Sequence, residues 1–231
     1  MKNREFIGAA AVGLVLYGAV AAGQDFSRYR EFELGTAVTA VSTLTGVATS
    51  ELKTIHRRPA VIQELTWRPR YRVHGTPIAD IDSVEQMVFD FHDDRLFRVT
   101  VYYDRKQTEG LTDADMIEAI SVLYGSQVKR VSPSRVQSTA VYDDTGARIA
   151  AWGNGSHSVT LYRLSSYATS FRLVMTAEAV AALARTAAAR AVVLDAREAP
   201  QREAAREKKE ADDRRAAEEK ARATNKTTFR P

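Results

Sequence analysis

The sequence predicts an α+β protein whose antiparallel sheet of about six or seven strands comes from two tandem helix-β-β-β units. Three observations support this fold class. Apolar residues alternate with polar ones in several short runs, which is typical of strands with one buried face. Two amphipathic segments end at a glycine, as many helices do, and the chain closes with a stretch dense in charges of both signs. The helices of both units are expected on one face of the sheet, and a long charged helix is expected at the C-terminus.

Composition removes several kinds of chemistry from consideration. With 231 residues, of which 45% are hydrophobic, the chain is long enough to bury a substantial core. It contains no cysteine, which excludes disulfides, thiol nucleophiles and metal sites with cysteine ligands. A lipoprotein is excluded for the same reason, because no cysteine follows the apolar N-terminal run.

The N-terminus has the features of an export signal. Lys2 and Arg4 precede an uncharged apolar run over residues 6–22, which ends in small residues with an A-x-A site. A basic start, an apolar centre and such a site together describe a cleaved signal peptide. The alternative is a retained membrane anchor, but the run is shorter than the ~20 residues that a spanning helix needs. We therefore expect a signal peptide over residues 1–23 and a periplasmic or secreted protein.

The first unit is assigned to residues 24–110. A narrow apolar stripe follows Thr36, the expected helix N-cap, and Gly46 has the position of the residue just beyond the helix. A strand is predicted next, between two prolines that interrupt regular structure, from alternating apolar residues at Val61, Leu65 and Trp67.

The stretch from Gln86 to Asp104 is the clearest hairpin in the chain. Apolar residues fall on alternate positions on both sides of a short polar loop, so each arm is expected to turn one face toward a core. In that loop, His92 stands beside Asp93 and Asp94, the nearest approach to a cluster of metal ligands. An Asp-rich turn explains the cluster without a metal, and no metal site is predicted.

The second unit is assigned to residues 111–176. Thr112 and Asp115 form a variant of the capping box at the start of a helix, and Gly125 follows the helix end. Strands are then predicted on both sides of a type I′ turn at Asn154-Gly155.

The two units share one plan. Each has a helix closed by a glycine, a strand that carries the only tryptophan of that unit, and a hairpin of alternating strands. This order indicates a tandem duplication, and the alternative is chance similarity between two hairpin-rich halves.

The C-terminal part of the chain changes in character. Residues 177–199 predict an Ala-rich helix with a weak apolar stripe, and Pro200 is expected to interrupt it. Residues 200–231 have no apolar stripe but many opposite charges at i,i+4 spacing, which describes a charged helical or disordered tail.

No pattern of an enzyme stands out in the sequence. The four histidines have no helical metal-ligand spacing, and neither a G-x-S-x-G elbow nor a P-loop is present. Gly153-Asn154-Gly155-Ser156 lacks the remaining features of a phosphate loop and is explained as a turn between two strands. We therefore expect no catalytic residues and no cofactor.

A basic stretch is the best candidate for binding. Between Glu51 and His74, six lysines and arginines stand against two glutamates, a local excess of four positive charges. Arginine suits planar carboxylate or phosphate groups, and aromatic residues lie among these arginines. The bland alternative is a solvated strand end and loop with the tryptophan in the core. We name this stretch the arginine segment, and its expected binding residues are Arg57, Arg58, Trp67, Arg68, Arg70, Tyr71 and Arg72.

The order of elements resembles two kinds of exported module. Leu34-Gly35-Thr36, Gly46, Gly125 and the alternating strands are similar to modules of the beta-lactamase-inhibitor-protein type. They also resemble the small outer-membrane assembly lipoproteins of the SmpA/OmlA type. The chain lacks the cysteine pairs of the first family and the lipobox of the second, so no functional residue is carried over. The resemblance implies a non-catalytic module that binds other proteins.

Together these features favour an exported, non-catalytic binding protein of the bacterial envelope or extracellular space. Its partner is expected to be another macromolecule, and the arginine segment favours an anionic one. Nucleic acid is not expected as the partner, because the protein is expected outside the cytoplasm. The alternative is a periplasmic hydrolase or small-ligand carrier with a site assembled from scattered residues, in which His92 or His157 meets a carboxylate in a deep pocket. A membrane-anchored scaffold would require that the N-terminal segment is retained.

Overall fold

A computed structural model of the protein describes residues 24–69, 83–126, 129–130, 146–164, 171–228 and 230. The predicted signal peptide at residues 1–23 lies outside this part of the chain. Within the described residues, no helix combines the length and the apolar character that a membrane span requires.

The described chain forms ten strands, three α-helices and one short 3₁₀ turn over Thr49–Glu51. The fold class is confirmed as α+β with an antiparallel sheet and a long C-terminal helix. A small ribbon consists of β1 (Arg28–Tyr29) and β2 (Phe32–Glu33). The helices are α1 (Val38–Thr45), α2 (Asp113–Tyr124) and α3 (Glu178–Thr228). The main sheet contains β3 (Lys53–His56), β4 (Ile62–Trp67), β5 (Val84–His92), β6 (Arg95–Tyr103), β7 (Lys129–Arg130), β8 (Ala147–Gly153), β9 (His157–Arg163) and β10 (Phe171–Ala177).

The order of strands across the main sheet reflects the order of the two halves of the chain. The strands lie in the order β3-β4-β5-β6-β10-β9-β8-β7, and every neighbouring pair is antiparallel. Each half therefore runs from a helix through four strands, from the outside of the sheet to its centre. The halves meet where β6 pairs with β10. A duplication would produce this order, and the duplication itself remains a prediction.

The two faces of the main sheet differ sharply in composition. Cross-strand partners share a face of a sheet, so the pairing register identifies the side chains on each face. One row across the centre of the sheet is apolar and buried, and consists of Leu65, Phe89, Val99, Met175 and Val159. The neighbouring row on the opposite face is polar, and consists of Glu64, Asp90, Arg98, Thr176 and Ser158. We call these the apolar face and the polar face.

The β1–β2 ribbon and the two short helices contribute to the core on the apolar face. The Phe32 ring of the ribbon is fully buried, and its centroid lies 4.6 Å from that of Phe89. Val41 of α1 and Met116 and Ile120 of α2 belong to the same core cluster. This arrangement agrees with the expected placement of the helices of both units on one side of the sheet.

A hairpin tip caps the first helix, which the sequence prediction did not foresee. Asp93 and Asp94 form the two-residue turn between β5 and β6 with φ of 45° and 66°, the left-handed values of a type I′ turn. The Asp94 carboxylate accepts a hydrogen bond from the backbone N–H of Val38 at 3.1 Å. The predicted N-cap at Thr36 is therefore wrong: the N-cap position is Ala37, which has no side-chain cap.

The same tip shifts the start of the next strand. The Asp93 carboxylate accepts the N–H of Val61 at 2.8 Å, and the N–H of Asp93 donates to the Val61 carbonyl at 2.9 Å. Val61 is consequently held at the surface, 38% exposed, and Ile62 takes the first core position of β4. The prediction of Val61 as an inward strand residue is therefore wrong.

The capping box of the second helix is confirmed. The Thr112 hydroxyl accepts the N–H of Asp115, and the Asp115 carboxylate accepts the N–H of Thr112 at 2.7 Å. The backbone N–H of Thr112 and then its hydroxyl donate to the Asp115 carboxylate, and this holds the pKa of Asp115 below its ordinary value. At the other end of α2, the indole N–H of Trp152 donates to the Gly125 carbonyl at 3.1 Å, which ties the helix to β8.

The turn between β8 and β9 is centred one residue later than predicted. The N–H of Asn154 donates to the carbonyl of His157 at 3.1 Å, so Gly155 and Ser156 are the central residues. Gly155 has φ of 87°, whereas Ser156 is not in the left-handed region, which makes this a type II′ arrangement. The Asn154 side chain accepts the N–H groups of Ser156 and His157, and this use of Asn154 explains why it does not occupy the turn centre.

The C-terminal helix continues through Pro200, which corrects the predicted interruption. Arg202 donates to Asp195 at 2.7 Å and to Glu198 at 3.0 Å, so ion pairs span the turn that the proline weakens. Before the proline, alanines such as Ala184 and Ala188 are fully buried against the body of the protein. Residues 199–228 are exposed except for a half-buried Ala211, and at 1.5 Å per residue they extend about 45 Å.

Candidate functional site

The structure describes only part of the predicted arginine segment. Arg57 is exposed in the connection between β3 and β4, and Arg58 beside it forms an ion pair with Glu198 of α3. The Nε–H of Arg68 donates to the Gln86 side chain at 3.1 Å. Arg70, Tyr71 and Arg72 lie outside the described residues.

Trp67 lies in the core rather than on the surface of the arginine segment. Its side chain is on the apolar face and only 6% exposed, and its ring meets Phe32 edge-on with 5.6 Å between centroids. This agrees with the alternative interpretation of the sequence, in which the tryptophan belongs to the core. We therefore leave Trp67 out of any binding surface.

A second candidate site is a groove on the polar face, which the sequence prediction missed. It has a volume of about 540 Å³ and lies between β6, β8, β9 and β10 of the main sheet and the first turns of α3. We call it the polar-face groove. Its functional lining comprises Arg98, Arg148, Ser158, Thr160, Glu178 and Arg185.

Strand alternation and small side chains create this groove. Ala151 and Gly153 of β8 line it and leave space above the sheet, because one carries only a methyl group and the other has no side chain. Alternate residues of β9 point to the same side, and all three carry a hydroxyl group: Ser158, Thr160 and Tyr162. The floor of the groove is therefore both concave and rich in hydrogen-bonding groups.

Among the described residues, most charged side chains of the groove lining are positive. Arg98, Arg148 and Arg185 line it there together with one carboxylate, that of Glu178. Arg98 is 6% exposed, and its Nε lies 3.9 Å from an oxygen of Asp90 on the neighbouring strand. Arginine binds carboxylate and phosphate oxygens through two parallel hydrogen bonds, so the lining suits an anionic group.

A further arginine lies beside Tyr162 of the groove lining. Arg172 of β10 is fully buried, and its guanidinium lies 4.8 Å from the ring centre of Tyr162. A cation placed over an aromatic face is stabilised by the ring, which helps to hold this charge inside the protein. Charges in a poorly solvated site act over longer distances than charges in water.

The start of α3 closes one end of the groove. The Glu178 carboxylate accepts the Ser158 hydroxyl at 2.5 Å, and the Glu178 N–H donates to the Ser156 carbonyl at 2.9 Å. Ser158 therefore faces a carboxylate rather than an imidazole, although His157 also lines the groove. His92 lies elsewhere, at the hairpin tip, where its Nδ1 is 3.6 Å from an Asp93 oxygen.

Two further observations bear on chemistry and on relationships. Within the described residues, no group of three or more histidine, aspartate or glutamate side chains is placed to hold a metal ion. No protein-family model matches the chain, and neither a curated protein nor a solved structure is significantly similar to it. The resemblance to exported modules consequently stays a hypothesis.

Proposed function

We propose that this protein is an exported, non-catalytic binding protein of the bacterial envelope or extracellular space. Its polar-face groove receives an acidic segment of a partner protein. The observation that carries the proposal is the described lining of the groove, where three arginines and one glutamate stand above a floor of hydroxyl groups. Carboxylates of the partner would accept hydrogen bonds from the arginines, while the hydroxyls bind neighbouring backbone groups.

The contacts of the groove favour binding over catalysis. A serine nucleophile needs a base within hydrogen-bonding reach that can take its proton, and this base is most often a histidine. The Ser158 hydroxyl is instead engaged by the Glu178 carboxylate, which also fixes the first turn of α3. This pair is best explained as a structural contact that positions the wall of the groove.

The arginine segment supplies a second contact in this proposal, separate from the groove. Arg57 is exposed, and Arg58 lies where α3 leaves the body of the protein. An acidic partner would meet positive charge at this point as well as in the groove. The expected contribution of these surface charges is small and falls with salt.

The test is calorimetric titration of the protein with a synthetic glutamate-rich peptide at low and high salt. Arg148→Gln in the groove should weaken binding by about tenfold or more, since a hydrogen bond to a charged group contributes about 1.5–3 kcal/mol. Arg57→Gln should weaken it less. Arg222→Gln, at an exposed position near the C-terminal end of α3, is the matched control and should leave affinity unchanged.

Equal losses for Arg148→Gln and Arg222→Gln would contradict a role for the groove. A lysine-rich peptide of the same length controls for nonspecific association and should not bind. Affinity for the glutamate-rich peptide should fall steeply as salt rises, because the interaction is between charges.

A second candidate function is a carrier of a small anionic ligand. The observation that favours it is the groove volume of about 540 Å³, which lies within the usual range of small-molecule pockets. Succinate is a suitable probe in the same titration. If succinate binds tightly and the glutamate-rich peptide binds no more tightly than succinate, the carrier function is favoured over the protein-binding function.

A further inference from the structure

An apolar pocket separate from the polar-face groove lies between the β1–β2 ribbon, the end of β6 and α2. Its volume is about 450 Å³, which is sufficient for a small ligand. Met116 and Ile120 of α2 are each 5% exposed and line its interior. Tyr29 and Tyr103, also buried, add two aromatic side chains to the lining.

Two leucines keep large apolar side chains at the surface beside this pocket. Leu111, just before α2, is 42% exposed, and Leu123 in its last turn is 61% exposed. Both also line the pocket. Contact of such side chains with water is unfavourable, so a ligand that covers them gains free energy on binding.

Among the described residues that line the pocket, Arg30 carries the one charged side chain. Arg30 stands in the turn of the β1–β2 ribbon with φ of 53°, and its guanidinium lies 5.6 Å from the ring centre of Tyr29. Gln107 and Thr108 add further polar groups. An apolar cavity with an arginine at its edge complements a molecule with an apolar chain and a negative head.

We propose that this pocket binds a single-chain amphiphile with an anionic head group, such as a fatty-acid carboxylate. The acyl chain lies against Met116, Ile120 and the two leucines, and the carboxylate accepts hydrogen bonds from Arg30. The inference uses no residue of the polar-face groove and does not depend on the function proposed for it.

The test uses decanoate below its micellar concentration, followed by NMR of protein with ¹³C-labelled methionine methyl groups. Met116 lies in the pocket, whereas Met87 and Met175 lie in the sheet core, so these methyls separate local binding from general perturbation. Decanoate should shift the Met116 methyl selectively. Uncharged decanol should bind about tenfold more weakly, since it loses the charge-assisted hydrogen bond.

Three variants make the experiment decisive. Ala119→Phe fills the pocket and should abolish the Met116 shift, and Leu111→Asn should weaken binding severalfold. Leu44→Asn is the matched control, because Leu44 is 40% exposed on α1 and should not matter. Arg30→Asn, which suits the left-handed turn position, should remove the preference for decanoate over decanol.

Equal affinity for decanoate and decanol in the unaltered protein would overturn the proposal and indicate a site for an uncharged apolar group, such as a side chain of a partner protein. An unselective shift of all the methionine methyls, or binding that survives Ala119→Phe, would also overturn it. Folding of each variant is checked by the Met87 and Met175 resonances, which should keep their positions in the absence of ligand.

Discussion

The two faces of the main sheet come from the same strands but have different roles. On the apolar face, Phe89 and its neighbours are fully buried beneath the ribbon and the short helices. On the polar face, hydroxyl groups and arginines border a groove beside α3. Strand alternation therefore separates two sets of side chains: one set forms the apolar core, and the alternate set includes the residues that line the groove.

The largest expected difference between the faces is in stability. Phe89→Ala removes a fully buried ring that contacts Phe32, and should lower the free energy of unfolding by about 3–5 kcal/mol. Thr160→Ala, on the polar face, should change it by no more than about 0.5 kcal/mol. Urea denaturation of both variants measures the difference. Similar losses would mean that the polar face is also a packing surface.

The next effect concerns the docking of α3 beside the polar face. Ala184 is fully buried, so Ala184→Leu should overpack the interface and cost about 1–3 kcal/mol of unfolding free energy. Ala205→Leu lies on the projecting part of the same helix and should have an effect within about 0.5 kcal/mol. Thermal denaturation compares the two. A harmless Ala184→Leu would show that the helix does not pack as described.

A smaller effect on stability is expected from the buried hydroxyl group of Tyr124. The Tyr124 hydroxyl donates to the Arg28 carbonyl at 2.9 Å, and Tyr124→Phe should cost about 1 kcal/mol at neutral pH. Burial is the main cause that raises the pKa of Tyr124 above its ordinary value of 10.0. The folded protein therefore holds this proton more tightly, so stability is lost as pH rises above about 10.

The control for this prediction is the pH dependence itself. At neutral pH the unaltered protein should have the larger unfolding free energy. This advantage over Tyr124→Phe should shrink as pH rises above about 10, because the variant lacks the titrating hydroxyl. A constant difference between them would mean that Tyr124 does not contribute to the alkaline loss of stability.

The smallest effect concerns the surface ion pairs of α3. The hydrogen bond from Arg58 is the largest cause that lowers the pKa of Glu198 below its ordinary value of 4.5. The contact therefore stabilises the fold above this pH and is lost as pH falls below it. Arg58→Gln should increase hydrogen exchange around Glu198 at pH 7 but not in 1 M salt, and equal exchange at low salt would contradict this contact.

The sequence was sufficient for the elements whose determinants are local. Alternation predicted the hairpin of β5 and β6, and Thr112 with Asp115 predicted the start of α2. Local reasoning failed where a distant group decides the outcome. Asp94 caps α1 across 56 positions of the chain, and no pattern around Thr36 could reveal it.

The groove was missed because its parts are scattered over the sequence. Arg98 and Arg148 are brought to one face only by the central pairing of β6 with β10 and by the order of β9 and β8 beyond it. One local signal was present: alternate residues Ser158, Thr160 and Tyr162 all carry hydroxyls opposite the apolar face of β9. Three hydroxyl groups in a row on one face of a strand indicate a hydrogen-bonding surface as well as solvent exposure.

The most direct test of the groove is NMR of protein labelled with ¹⁵N-threonine and titrated with the glutamate-rich peptide. Thr160 and Thr176 line the groove, whereas Thr39 and Thr43 are exposed on α1, away from the groove lining. Binding in the groove should shift the Thr160 and Thr176 signals and leave those of Thr39 and Thr43 unchanged. At the same peptide concentration, these shifts should be lost in Arg148→Gln. Saturable binding that leaves Thr160 and Thr176 unmoved would contradict the proposed function.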